Sequence, residues 1–170
     1  MSAAPATAKS SFQPVVDPQT RVLVLGSLPG EMSLAKGEYY GNPQNQFWRL
    51  IGAVIGADLD PKRLAYADRL AALGAAHVGL WDVVKSAERA GSLDANIRNH
   101  AANALPALVA ALPALRAVGF NGGTSWRLGA QQIGADAGVA LIALPSSSPA
   151  YAARPFAEKL AAWMRLREFL

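Results

Sequence analysis

The chain has 170 residues, 52% of them hydrophobic and 16% charged, a size and composition that suit one domain with its own core and exclude a disordered chain. It contains no cysteine, which excludes disulfides, thiolate zinc sites and cysteine-ligated iron–sulfur clusters. The formal net charge of +4 permits a nucleic-acid partner without pointing to one.

Residues 1–20 read as a partly extended arm. Phe12, Val15 and Val16 are placed to pack on the body, and Asp17-Pro18 marks a turn. This Ala/Ser-rich start lacks the apolar block of a secretory signal. Residues 21–170 read as a single domain. The run at 21–25 is β-branched and leucine-rich, the pattern of a strand buried on both faces. It enters the turn Gly26-Ser27-Leu28-Pro29-Gly30. Phe47, Leu50, Ile51, Val54 and Ile55 recur at helical spacing, which predicts a helix over 47–55. A second helix is expected over 61–73, with Asp60 as its N-cap and Pro61 in its first turn. Residues 77–84 read as a strand and 85–92 as a polar connection. Residues 93–112 read as mostly helical, interrupted by Pro106 and Pro113. Strands at 115–120 and 139–144 flank a short helix at 124–133. An amphipathic helix over 151–169 turns Phe156, Leu160, Trp163, Met164 and Leu166 inward. No apolar run approaches the roughly 18 residues that a membrane-spanning helix needs. His77 and His100 read as structural or solvated, so no metal site is expected.

Strands alternating with helices argue for an α/β fold of three layers, with an open, mainly parallel sheet between helices. Ligands of such folds bind outside the carboxyl ends of the strands. Four strand ends carry unusual chemistry: the turn at 26–30, Trp81-Asp82, Asn121-Gly122-Gly123, and Pro145-Ser146-Ser147-Ser148-Pro149. The site is expected where these loops meet.

Each motif has a plain reading beside the functional one. The turn holding Gly26, Ser27 and Leu28 is either an ordinary connection or a source of backbone N–H donors. It matches neither the Rossmann nor the P-loop pattern. Asn42, Gln44, Asn45 and Gln46 place four amides ahead of Phe47 and Trp48, a composition that can read the edge and face of a flat ring. Asn45 could equally cap the following helix, and Phe47 could belong to the core. Asp82 is either a loop residue or a site residue. Asn121 is either part of a turn or an amide held beside a ligand. Ser146, Ser147 and Ser148 can cap the last helix or grip a phosphate. Arg154, just beyond them, is a surface charge or a phosphate contact.

Taken in order, these segments resemble the uracil-DNA glycosylase superfamily, and most of all its hypoxanthine-DNA (deoxyinosine) glycosylase branch. The marks are Gly-Ser-Leu-Pro-Gly at 26–30, Tyr-Tyr-x-x-Pro-x-Asn-x-Phe-Trp at 39–48, Gly-Leu-Trp-Asp-Val-Val at 79–84 and Arg-x-Gly-Ser-Leu-Asp at 89–94. Phe-Asn-Gly at 120–122 and Leu-Pro-Ser-Ser-Ser-Pro-Ala at 144–150 complete them. The resemblance spans most of the chain, from Phe12 to about 166. It implies a four-stranded parallel sheet and a monofunctional DNA glycosylase of base-excision repair. Such an enzyme flips out a deaminated base, hypoxanthine first and uracil second, and hydrolyses its N-glycosidic bond without a cofactor. A monomer in a bacterial-type cytoplasm, held at the nucleoid through DNA, is the matching expectation.

By the same resemblance Phe47 is the platform on which the base stacks, and Asn121 lies near the base or the reaction centre; Gly26, Ser27, Leu28 and Asp82 are the further residues expected to bind the base. Ser146 to Pro149 hold the DNA backbone, and Tyr151 falls where a side chain enters the vacated stack. Where much of the superfamily carries an Asp or Asn that positions water, this chain has Leu28. Asn45 takes that role by the branch's pattern. An amide is too weak a base to deprotonate water, so the implied reaction is dissociative. The alternatives are a binding protein of the same fold that cleaves nothing, and a serine hydrolase. The latter lacks Gly-x-Ser-x-Gly.

Overall fold

A computed structural model of the chain describes residues 7–151 and 153–170. Residues 1–6 of the expected arm, and Ala152 of the expected last helix, lie outside the described residues. The first half of the chain runs β1 (Thr7–Ser10), β2 (Val22–Gly26), α1 (Glu31–Lys36), α2 (Phe47–Ile55), α3 (Tyr66–Ala75), β3 (Val78–Asp82) and β4 (Val84–Arg89). The second half runs β5 (Arg98–Ala102), α4 (Leu105–Ala111), β6 (Ala117–Asn121), α5 (Gly123–Ile133), β7 (Ala140–Leu144) and α6 (Phe156–Trp163). It ends in a 3₁₀ segment, Met164–Phe169.

The central sheet has the order β3-β2-β6-β7, and every neighbouring pair is parallel. The side-chain alternation of β2 explains its unbroken apolar run. Val22 and Val24 pack into one core with α2, α3 and α6, through Leu50, Ile51, Leu73 and Trp163. Leu23 and Leu25 pack into the other with α4 and α5, through Leu105 and Ile133. Successive residues of a strand face opposite sides, so a strand covered on both faces has no polar position. After β2 the chain goes to β3 on one side; β6 and β7 lie on the other. The loops leaving β2 and β6 therefore diverge, and a crevice opens at their carboxyl ends.

A second sheet was not expected. Strands β1, β4 and β5 form an antiparallel sheet in the order β1-β4-β5. Residues 85–92, read as a connection, thus largely form a strand. Residues 93–112, read as mostly helical, hold a 3₁₀ turn (Asp94–Asn96), β5 and only the seven-residue α4. In β4 the buried positions are Val84, Ala87 and Arg89, with Lys85 and Glu88 exposed. The innermost side chain is a charged one, which hides the alternation from a hydrophobicity reading. In β5 an alanine-rich sequence pairs with β4, and tertiary pairing overrides helix propensity.

Smaller differences have local causes. The helix expected over 61–73 forms as α3, because Asp60 Oδ1 accepts the Lys62 N–H at 2.9 Å and closes a turn instead. The last helix begins after Pro155, at Phe156. The short helix α1 was not foreseen. The described part of the arm joins the body: β1 pairs with β4, Val15 bridges Leu80, and Phe12 packs on the core.

Candidate functional site

At the carboxyl end of the parallel sheet lies a cavity of about 510 Å³. Its wall includes Gly26, Ser27, Leu28, Asp82 and Asn121 from the strand ends, Tyr40, Asn42 and Asn45 from the loop before α2, and Ser146 to Tyr151 from the loop after β7. All four expected strand-end segments contribute, though Trp81 itself turns away and donates its ring N–H to the Phe12 carbonyl at 3.0 Å.

The aromatic side of the cavity is built in two layers. Phe47 is fully buried and does not reach the cavity. Its ring stacks on Tyr40, centroids 3.8 Å apart and planes 16° from parallel, and meets Trp163 edge-on at 5.9 Å. Tyr40 lines the cavity and is the ring available to a ligand. It sits at φ 54°, a left-handed conformation uncommon for a bulky residue. Tyr39, beside it, is buried with its hydroxyl donating to the Gln13 carbonyl at 2.9 Å and borders the same cavity. Burial, and next the Asp82 carboxyl, push the Tyr40 hydroxyl well above its ordinary range, so it remains a neutral group.

Asn121 locks this side together. Its Nδ2 donates to Ser147 Oγ at 2.9 Å and to the Tyr40 hydroxyl at 3.3 Å, and its Oδ1 accepts the Ser147 N–H at 2.9 Å. The Ser147 carbonyl in turn accepts the Gln46 N–H at 3.0 Å. Gln46 Oε1 accepts from Lys159, whose ammonium is buried on α6. The serine loop therefore reaches the amide loop through Asn121 and Gln46. Ser146 and Ser148 bond within their own loop rather than capping α6. Asn45 lines the cavity, and its Oδ1 accepts the Phe47 N–H at 2.9 Å. It serves the helix start and the cavity wall at once.

Charge gathers around Gly26, next to the Tyr40 hydroxyl. Gly26 is tightly enclosed: a Cβ there would lie 2.6 Å from Asp82 Oδ1 and 3.1 Å from the Tyr40 hydroxyl. Any side chain at 26 would displace both groups. Asp82 is buried, and its Oδ2 has no hydrogen-bond partner. Burial first, and then the neighbouring Asp94, raise its carboxyl to about 7, against the opposing pull of Arg89. Asp94 accepts the Ser27 hydroxyl at 2.6 Å, and burial raises it as well. Arg89 is fully buried and donates to the carbonyls of Leu28, Pro29 and Gly91, with Asp94 at 3.9 Å. Leu28 packs on Val84 and Ala87 and presents no polar atom of its side chain to the cavity.

Arg154 is not part of this wall. It is exposed, pairs with Glu158 at 3.5 Å and borders a neighbouring groove of about 490 Å³ with Arg165. The sequence reading missed Tyr40, which stood quoted in its motif without a role. It also missed the turn at 92–95, which lines the cavity. The signal for the latter was the Arg-x-Gly-Ser-Leu-Asp motif, marked but left without a function.

Fold and cavity together make a strand-end pocket whose wall combines aromatic rings, amides and buried carboxyls. The family model of the uracil DNA glycosylase superfamily matches residues 13–167. A hypoxanthine DNA glycosylase of Methanosarcina barkeri is 46% identical over 114 residues, covering 67% of this chain and 71% of that protein. Its counterpart in Methanosarcina acetivorans is 44% identical over the same lengths. The solution NMR structure of a Methanosarcina acetivorans protein, provisionally assigned as a uracil DNA glycosylase, superposes with a TM-score of 0.81 at 35% identity. It covers 95% of this chain and 97% of that one. The chain belongs to the uracil DNA glycosylase superfamily.

Proposed function

We propose that the protein is a monofunctional DNA glycosylase of base-excision repair that removes deaminated bases, hypoxanthine first and uracil second. The observation that carries this reading is the cavity wall: Tyr40 backed by Phe47, with the Gly26 loop and Asp82 beside its hydroxyl. The two hypoxanthine DNA glycosylase relatives support the choice of base.

A base inside a stacked duplex is out of reach, so the nucleotide first rotates into the cavity. Its ring stacks on Tyr40, a contact worth about 1–3 kcal/mol in comparable sites. Phe47 acts from behind, by holding Tyr40 flat. Deaminated bases share a ring N–H next to a carbonyl, and Asp82 is the group placed to meet that edge. Arg89 draws the Leu28 and Pro29 carbonyls inward. The loop's backbone donors then serve the charge that grows on the departing base, the kind of stabilisation that dominates rate in such sites.

Leu28 cannot activate water. Asn45 orients it instead, and the reaction is dissociative. The C1′–N bond breaks with its electrons going to the base, and water then adds to the oxocarbenium-like sugar. The added water gives up a proton to solvent, and the departing base anion takes one up from solvent, so the base is released as a neutral ring. Among the described residues no lysine lines the cavity, which favours simple hydrolysis over strand cleavage through a Schiff base. Ser146, Ser147, Ser148 and Pro149 hold the DNA backbone, Tyr151 enters the stack, and Arg154 adds a phosphate contact beside them. The reading extends to a monomer working in the cytoplasm on nucleoid DNA. Among the described residues no helix is long and apolar enough to cross a membrane.

The test is a labelled duplex with one deoxyinosine or deoxyuridine, treated with excess protein and then hot alkali. Alkali-dependent cleavage at deoxyinosine, stronger than at deoxyuridine, is the expected result. Tight binding without any alkali-labile product would instead make the protein a lesion binder.

A further inference from the structure

Four large apolar side chains are exposed among the described residues: Met32, Leu93, Trp126 and Tyr151. All but Trp126 line the same cavity. Single exposed apolar residues need no explanation, but a group at one mouth does. Leu93 is the most exposed of the four, at 53%.

The turn that carries Leu93 is fastened on both sides. Ser92 Oγ accepts the Glu31 N–H at 2.9 Å, and Asp94 Oδ1 accepts the Ser27 hydroxyl at 2.6 Å. The Gly91 carbonyl takes bonds from Lys9 and from Arg89, and Asn96 Nδ2 reaches the Ala90 carbonyl at 3.1 Å. Gly91, at φ 69°, allows the sharp bend. The backbone is thus fixed to the first cavity loop, while its leucine remains in water. In the free protein about half of the Leu93 side chain stays exposed at the cavity mouth. The sheet order also separates Leu93 from the serine loop. Tyr151 follows β7 at one edge of the central sheet, whereas the Leu93 turn follows β4, which continues from β3 at the other edge.

We propose that Leu93 is a second DNA wedge, entering the base stack beside the flipped nucleotide from the β3 edge while the serine loop grips from the β7 edge. Apolar side chains on rigid mounts open base steps in this way, and the flipped base leaves a gap that needs filling. The proposal rests on the glycosylase reading for its substrate. A wedge matters where a partner strand keeps the stack intact and matters little on a single strand.

The test compares wild type, Leu93→Ala and Leu93→Met on one deoxyinosine sequence, single-stranded and duplex. Free-base release reads catalysis. The fluorescence of a 2-aminopurine next to the lesion reads opening of the stack. Leu93→Ala should lose about tenfold or more in kcat/KM on the duplex, with a weakened fluorescence rise, and stay near wild type on the single strand. Leu93→Met should recover most of the loss. Equal loss on both substrates, or none on the duplex, overturns the wedge. A wild type that raises fluorescence but releases no base would fail the glycosylase reading alone. The wedge is then decided by whether Leu93→Ala abolishes that rise.

Discussion

The two sides of the cavity are built from opposite materials. The Tyr40 side is made mostly of neutral rings and amides: Phe47 stacks on Tyr40 and bonds Asn45, Asn121 bonds Tyr40 and Ser147, and one buried cation, Lys159, bonds Gln46 behind them. The Gly26 side is organised by buried charge: Arg89, Asp94 and Asp82, with Lys9 behind them. The rings, amides and hydroxyls of the first side do not change charge at physiological pH. A charged side in low dielectric is sensitive to proton uptake and to loss of any partner. Under the proposed function, capture of the ring and placement of water fall to the first side, and loop shape and edge recognition to the second.

The largest effects should separate the sides by what they destabilise. Arg89→Met removes the ion pair to Asp94 and the side-chain donors to the Leu28 and Pro29 carbonyls, while Asp94 keeps Ser27 and Gly91 keeps Lys9, and it should cost about 3–5 kcal/mol of stability. Phe47→Ala should cost a similar amount, about 3–5 kcal/mol, through a cavity behind Tyr40. Thermal unfolding measures both. If Arg89→Met proves as stable as wild type, the charged side is not held as described.

Asn45→Ala should lower kcat by about 10²–10³, while its affinity for deoxyinosine DNA stays close to wild type. The check is single-turnover kinetics beside a binding titration. Equal losses in both would reduce Asn45 to a helix cap.

Asp82→Asn addresses pH. Its carboxyl is raised to about 7 when folded, against about 3.9 in an unfolded chain. Between these values the folded protein keeps a proton that the unfolded chain releases, so stability falls as pH rises from about 4 to about 7. The raised Asp94 acts in the same sense. Asp82→Asn should flatten most of that slope in denaturant titrations across the range. An unchanged slope would show that Asp82 is not buried in ionisable form.

The smallest effect belongs to Tyr40→Phe, which keeps the stacking ring and loses only the long contact from Asn121 at 3.3 Å. It should cost about 1 kcal/mol or less and retain most activity. Tyr40→Ala, by contrast, should lose base capture. If Phe47→Leu harms capture more than Tyr40→Ala does, the assignment of the outer ring is wrong.

The neutral side was more legible in the sequence than the charged one. Val22 to Leu25 announce a doubly covered strand because every position is apolar. The amides and aromatics at 42–48 announce ring chemistry because few other uses gather them. What the sequence could not show is which aromatic faces out. That choice rests on the left-handed turn at Tyr40, and no spacing rule marks it. The charged side was hidden by its own chemistry. Arg89 occupies an inward strand position, so β4 reads as a polar connection. Asp82 becomes unusual only when Gly26 and Tyr40 close over it. The turn at 92–95 reaches the cavity through hydrogen bonds to Ser27 and Glu31, more than 60 residues away in sequence.

The central claim is hydrolysis of the N-glycosidic bond by this cavity. Its most direct measurement is mass spectrometry of a deoxyinosine duplex incubated with the protein in ¹⁸O-labelled water. The account predicts free, unlabelled hypoxanthine and an abasic sugar carrying the label, both formed about 10²–10³ times more slowly by Asn45→Ala. Deoxyinosine left intact at excess protein, or label found in the base, would contradict it.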